Sequence, residues 1–290
     1  MSDKPELLFT SLTATWFVFL FITESYIPLR QVTRPRFNRI AINLFFSSVS
    51  AVVGALAVRP AGLGATLFAA DHNVGLLNLL KLSPPFHLAI GFLLMDLSFY
   101  YWHRLNHVIP LLWRFHNVHH SDPDLDVSTS FRFHFAEILY SSLFRIAQVA
   151  IIGISIRGYI VYELIFSLST IFHHSNIKLP IGIERSLNKI FVTPRMHGVH
   201  HSFYRDETNS NYSVIFSFWD RLHQSLMLNV PQSEIQIGIP AYHEAKDNSL
   251  LHMLKMPFLP QRKYWEAEGT CFETRMSTDD AGVRNCGMLE

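Results

Sequence analysis

Cysteine is almost missing from this chain and charge is scarce. Only Cys271 and Cys286 occur in 290 residues, and they form no C-x-x-C pair. A disulfide scaffold, a thiolate zinc site and an iron–sulfur cluster are therefore excluded. Charged residues make up 16% of the chain, against roughly 25% in an average soluble protein. Lys and Arg (24) nearly balance Asp and Glu (23), so there is no basic field to attract a nucleic acid. The chain also has no Rossmann glycine fingerprint, no C-x-x-C-H haem attachment and no H-E-x-x-H. Apolar residues are not lacking: at 49%, with 24 Phe, they supply ample surface to offset chain entropy, and disorder is excluded. Histidine is the surplus, with 16 copies, most of them clustered.

Long hydrophobic runs place the chain in a membrane. Residues 7–23, 40–58 and 86–102 (the last interrupted only by Asp96) each approach the roughly 17–25 residues that a spanning helix needs. Residues 138–172 form a fourth apolar stretch, carrying Arg145, Gln148, Arg157 and Glu163, and read as a helical hairpin turning near Gly153 and Gly158. The first run has neither the basic flank nor the small-residue cleavage site of a signal peptide, so a retained helix is expected. The loop between the first two runs carries Arg30, Arg34, Arg36 and Arg39, which marks it as cytoplasmic. Residues 61–82 read as a re-entrant or interfacial piece on the far side. The expected architecture is an all-α integral membrane protein of about four spanning helices plus that piece, with a cytoplasmic helical cap. Its divisions are residues 1–85 (membrane helices), 86–230 (catalytic domain) and 231–290 (polar region ending in a frayed tail).

The cap carries the chemistry. His103 and His107 stand four apart; His116, His119 and His120 follow at i, i+3, i+4; and His197, His200 and His201 repeat that spacing. On a helix such spacings bring each set into one sector, as a metal requires of neutral nitrogens on rigid elements. Thr193 and Pro194 read as the N-cap and first-turn proline of the last triple. His174, ending the hairpin, is a ninth ligand candidate. Its neighbour His173 points away and is weaker. His134, opening the hairpin, joins the ligand set with a substrate-gate role as its alternative. Nine or more imidazoles exceed one metal's needs and indicate two metals, although imidazole alone does not choose among zinc, copper, iron and nickel. Asp96 and Glu137 are the expected acceptors for the outer N–H of a ligand histidine. The alternative for Asp96 is an ion pair with Arg145 or Arg157. Asp122, Asp124 and Asp126 read as a solvated loop.

This ordered set, HRLNH, HNVHH and HGVHH, resembles the fatty acid hydroxylase and sterol desaturase superfamily of membrane di-iron oxygenases. FHHSN, STSFRFHFAE and NYSVIFSFWDRL resemble its secondary motifs, and the resemblance covers roughly residues 84–224. Phe135 stands where the family usually has Pro, and His223-Gln224 where it usually has Phe-Gly. The resemblance implies two irons, O2 as co-substrate, and hydroxylation or desaturation of an acyl or sterol-like lipid taken from the bilayer. No electron-carrying motif is present, so an external reductase, ferredoxin or cytochrome is expected as partner. A membrane metal transporter is the competing class, but its site would lie near the midplane. A zinc membrane hydrolase is the other, but it would need a general-base glutamate inside a box.

Overall fold

The computed structural model describes residues 4–265, apart from positions 81 and 234. Cys271, Cys286 and the expected frayed tail lie outside the described residues. Among these there is no strand, only three isolated bridges. The helices are α1 (Lys4–Tyr26), α2 (Arg36–Val53), α3 (Arg59–Asp71), α4 (Leu76–Leu79), α5 (Pro84–Val108), α6 (Pro110–His120) and α7 (Phe135–Ile152). They continue with α8 (Ile156–His174), α9 (Ile181–Leu187), α10 (Pro194–His200), α11 (Arg205–Thr208), α12 (Phe218–Leu222) and α13 (Leu250–Lys255).

Residues 61–82 do not form a separate re-entrant piece. A π-helical turn, Gly54–Val58, joins α2 directly to α3. The rod of 36 residues would run about 54 Å if straight, longer than the roughly 30 Å hydrocarbon core of a bilayer. The 138–172 hairpin forms as expected. Gly153 closes α7 in the left-handed region (φ 72°), and the Ser155 hydroxyl accepts from the Gly158 N–H to open α8. Gly75 (φ 99°) packs on this turn so closely that a Cβ would lie 2.5 Å from the Gly153 backbone.

Three helical stretches among the described residues are long and apolar enough to cross a membrane: Leu7–Tyr26, Arg36–Leu79 and Phe135–Ile152. α5 and α8 have the length but not the composition. Their polar groups are used between helices: Glu163 of α8 pairs with buried Arg145 of α7 at 3.1 Å, and α5 buries Asp96, Tyr100 and His103. Outward faces stay apolar, with Leu8, Phe19, Leu56, Leu143 and Ile151 exposed, as a lipid-facing surface requires.

Two ends result. At one, the α7–α8 turn meets Gly75 and α4. At the other, α1, α5 and α8 finish and α2 and α7 begin. The arginine-rich loop lies at this second end, beside the histidines. Arg30 exchanges two hydrogen bonds with Asn176, N–H to Oδ1 at 2.9 Å and Nδ2 to its carbonyl at 2.8 Å. Asp124 accepts from the Thr33 and Arg34 backbone N–H groups. The three aspartates are thus no solvated loop. Asp122, Asp124 and Asp126 are all buried. Asp122 is flanked by Arg39 of α2 and by Arg132, at 3.1 and 3.3 Å, and Asp126 also pairs with Arg39. Burial alone would raise the Asp122 carboxyl, but the two guanidiniums hold it below the usual carboxylate range.

Candidate metal centre

Nine of the ten histidines expected as ligands come together, in two groups. One nitrogen from each of His103, His107, His116, His120 and His200 lies within 4.8 Å of every other in that group, and the same holds for His119, His174, His197 and His201. All are buried. The two triples do not each serve one site. HNVHH sends His116 and His120 to the five-membered group and His119 to the other; HGVHH sends His200 to the first and His197 and His201 to the second. The i, i+3, i+4 spacing puts three rings in one sector, and that sector straddles two centres. The rings of His120 and His201, one from each group, stack at 4.3 Å.

Outer partners set the rings. His103 Nδ1–H donates to the Tyr212 carbonyl at 2.8 Å, His200 Nδ1–H to the Ser210 carbonyl at 2.7 Å, and His174 Nδ1–H to the Thr170 carbonyl at 2.8 Å. His116 Nδ1 meets Glu137 Oε1 at 2.8 Å, the contact expected of Glu137. A carbonyl can only accept, so the proton of His103, His174 and His200 sits on Nδ1 and Nε2 presents a bare lone pair inward. Yet His103 Nε2 and His200 Nε2 face each other at 3.1 Å. Two acceptors at that distance with no proton between them repel; a shared cation makes them ligands. Both nitrogens of His107 and of His120, and Nε2 of His116, are buried with no hydrogen-bond partner, which is costly unless a metal takes them. Burial and the neighbouring rings hold His119, His120, His197, His200 and His201 well below the ordinary imidazole range. Neutral imidazole is the form that binds metal. The donor set therefore fits two ions.

Two expected site residues lie elsewhere. His134 joins neither group: its Nδ1 accepts the Ala136 N–H at 3.2 Å as the N-cap of α7, and its Nε2 meets the Leu254 carbonyl at 3.2 Å. Asp96 reaches no histidine, because it sits two turns, about 10 Å, before His103 on α5. Its Oδ2 instead accepts from Trp219 Nε1 at 2.8 Å and the Phe216 N–H at 3.1 Å, so neither arginine pairs with it. His173 stands outside both groups, its Nδ1 at 3.1 Å from the Val214 carbonyl. Pro194 opens α10 as expected, but the Thr193 side chain makes no cap bond.

The loop before α12 went unrecognised as a site element. Its carbonyls at Ser210, Tyr212 and Val214 orient His200, His103 and His173. Asp220 holds it, accepting from the Tyr212 and Ser213 N–H groups at 2.9 Å each. Asn211 adopts φ 53° and reaches the Met196 and Met227 carbonyls with Nδ2. The signal was NYSVIFSFWDRL itself. Gly198 is equally dictated: a Cβ there would lie 2.3 Å from Arg30 Nη1, which donates to the Pro194 carbonyl and Gln232.

Two buried all-imidazole groups able to hold metal, at the foot of an apolar helical bundle, define a membrane-type helical protein with a candidate metal centre. Comparison narrows this: residues 88–225, the segment carrying every ligand candidate, match the fatty acid hydroxylase family. The chain is 30% identical over 154 residues to an ornithine lipid hydroxylase of Rhizobium tropici, covering 53% of this chain and 46% of that one. It is 28% identical to an alkylglycerol monooxygenase of Danio rerio (62% and 39% covered) and 29% identical to a human cholesterol 25-hydroxylase (47% and 49%). The chain thus spans about half or less of these relatives' lengths. No solved structure matches it.

Proposed function

We propose that this protein is a membrane-embedded lipid oxygenase that holds two iron ions in the two histidine groups and uses O2 to oxidise an unactivated C–H bond of a lipid. The nine-histidine arrangement carries this reading, since no other buried group among the described residues can bind redox metals in such number. All three relatives described are hydroxylases or monooxygenases, which favours hydroxylation over desaturation and disfavours the transporter and hydrolase readings. Bound iron would supply the O2-activating redox chemistry that no side chain here can provide.

The chain's own residues do the rest. The Tyr212, Ser210 and Thr170 carbonyls and Glu137 fix ring orientation and keep the inner nitrogens deprotonated. The Asp122–Arg39–Arg132 network braces the end of α6, where Arg132 Nε donates to the Val118 carbonyl at 3.0 Å. Burial excludes bulk water from a site meant for oxidation. We further assign the histidine end to the cytoplasm, from the arginines beside it, and α1, the α2–α3 rod, α5 and the α7–α8 hairpin to the bilayer, with 86–230 as the catalytic unit. Electrons then arrive from a separate cytoplasmic carrier. The test is isotopic: membranes containing the protein are given 18O2 and a reductase system, and lipids are compared by mass spectrometry. The expected result is an 18O-bearing lipid that disappears with His120→Ala or His201→Ala. A lipid profile identical with and without the protein overturns the assignment.

A further inference from the structure

A lipid must still reach a centre whose ligands are all buried, and the surroundings of the histidines differ by direction. Towards Ser210 and Tyr212 the walls are loop carbonyls engaged by ligand rings. Towards α2 they are the buried Asp122–Arg39–Arg132 network, where an apolar chain would strand charges. Towards the start of α7 the wall is aromatic. Phe133 is only partly buried and stacks on His119 at 4.5 Å and lies 6.2 Å from His116, so it covers one ligand of each group. The residue after it in the chain, His134, lies 5.5 Å from Phe115 and 4.4 Å from Phe135, and Phe115 lies 5.6 Å from Phe258. Phe258 and Phe135 are 63% and 37% exposed. Phe135 is also the first residue of a helix apolar enough to span the membrane. Phe258, Phe115, His134 and Phe135 thus form one set of touching rings at the start of this apolar helix, and Phe133, the chain neighbour of His134, carries the aromatic surface on to His119 and His116.

One polar contact closes this row. Because His134 Nδ1 accepts from Ala136, its proton is on Nε2, which donates to the Leu254 carbonyl. That bond ties the segment 250–258, which packs Met253 and Met256 against Trp113, onto the start of α7.

We propose that the seam formed by Phe115, Phe133, His134 and Phe258 is the acyl-chain portal of the metal centre, with His134 latching the 250–258 strap across it. The proposal rests on the oxygenase reading for its purpose but on the aromatic continuity for its location. Phe115 and Phe133 are the floor along which the chain lies; Phe258 is the outer gate. His134 is a positioning residue and touches no metal.

The experiment uses the full chain, reconstituted in phosphatidylcholine vesicles doped with a phosphatidylcholine that carries a diazirine near its acyl terminus. After illumination, adducts are mapped by tandem mass spectrometry, and iron per chain is read on the same sample. Adducts on Phe115, Phe133 and residues 254–258 are expected. Adducts confined to the outward faces of α1, α2 and α7 overturn the portal. Phe115→Trp should fill the seam and abolish labelling of Phe133 with iron unchanged, and persistent labelling there overturns it too. His134→Ala should release the strap and increase labelling of Phe133; unchanged labelling removes the latch. If Phe115→Trp does not fold, the wild-type map decides alone. Labelled Phe133 in a chain that binds no iron contradicts the oxygenase reading and leaves the portal, whereas iron without labelled Phe133 does the reverse.

Discussion

His116 and Glu137 show how far single residues can be read and where reading stops. Glu137 was legible as an acid three residues after His134, at the opening of the hairpin. The carbonyl partners of His103, His174 and His200 were not, since backbone acceptors leave no mark in side-chain identity. Glu137→Ala should weaken metal binding about 10–100-fold, the usual cost of losing an outer partner of a ligand histidine, and Glu137→Gln should be milder; metal titration of the purified variants checks both. Asp96 is the instructive miss. An acid inside an apolar run advertises a function, but its distance along α5 and its Trp219 partner make it structural. Asp96→Ala leaves the Trp219 and Phe216 donors unpaired, at about 1–3 kcal/mol each. Thermal melting should show that loss while iron per folded chain stays normal. Iron loss at unchanged melting temperature would restore Asp96 to the site.

Among elements, the hairpin and the helix bearing the last histidine triple were readable from periodicity, proline and glycine. The division of each triple between two centres was not, because sequence spacing gives a sector and not its depth. Nor was the continuity of α2 with α3: residues 61–82, with Gly62, Gly64 and Gly75, read as a separate piece, yet the chain stays helical through a π-turn. The loop before α12 gives a prediction at this scale. Asp220 pins the carbonyls that orient His103 and His200, both of the five-histidine group. Asp220→Ala should therefore deplete that group and spare the other, leaving about one ion in place of two. Elemental analysis of the folded variant distinguishes this from uniform loss, which would mean general unfolding.

For the whole molecule, charge asymmetry in the first loop foretold that the arginines and the histidines share one end, and Arg30, Arg34 and Arg39 do contact the segments between and after the boxes. The number of crossings was less legible, because α5 and α8 spend their polar residues on neighbouring helices. Depressed histidines also give the molecule a pH dependence. Below about 6.5 an unfolded chain binds protons that the folded one refuses. The unfolded state then carries the excess protons, so stability falls as pH falls below about 6.5, because His119, His120, His197, His200 and His201 are held well below that value in the folded chain. Because the folded site refuses protons over most of this range, iron should be lost together with folding and not before it, and iron release from a chain still folded near pH of about 6 would contradict this.

The most direct measurement is iron per folded chain by elemental analysis, on the wild type and two double variants. The four-histidine group is removed by His174→Ala with His197→Ala, and the five-histidine group is crippled by His103→Ala with His200→Ala. The account predicts about two irons in the wild type and about one in each double variant, since each group has donors enough for its own ion. A wild type holding a single iron that either double variant abolishes would contradict it, because the nine histidines would then form one site and not two.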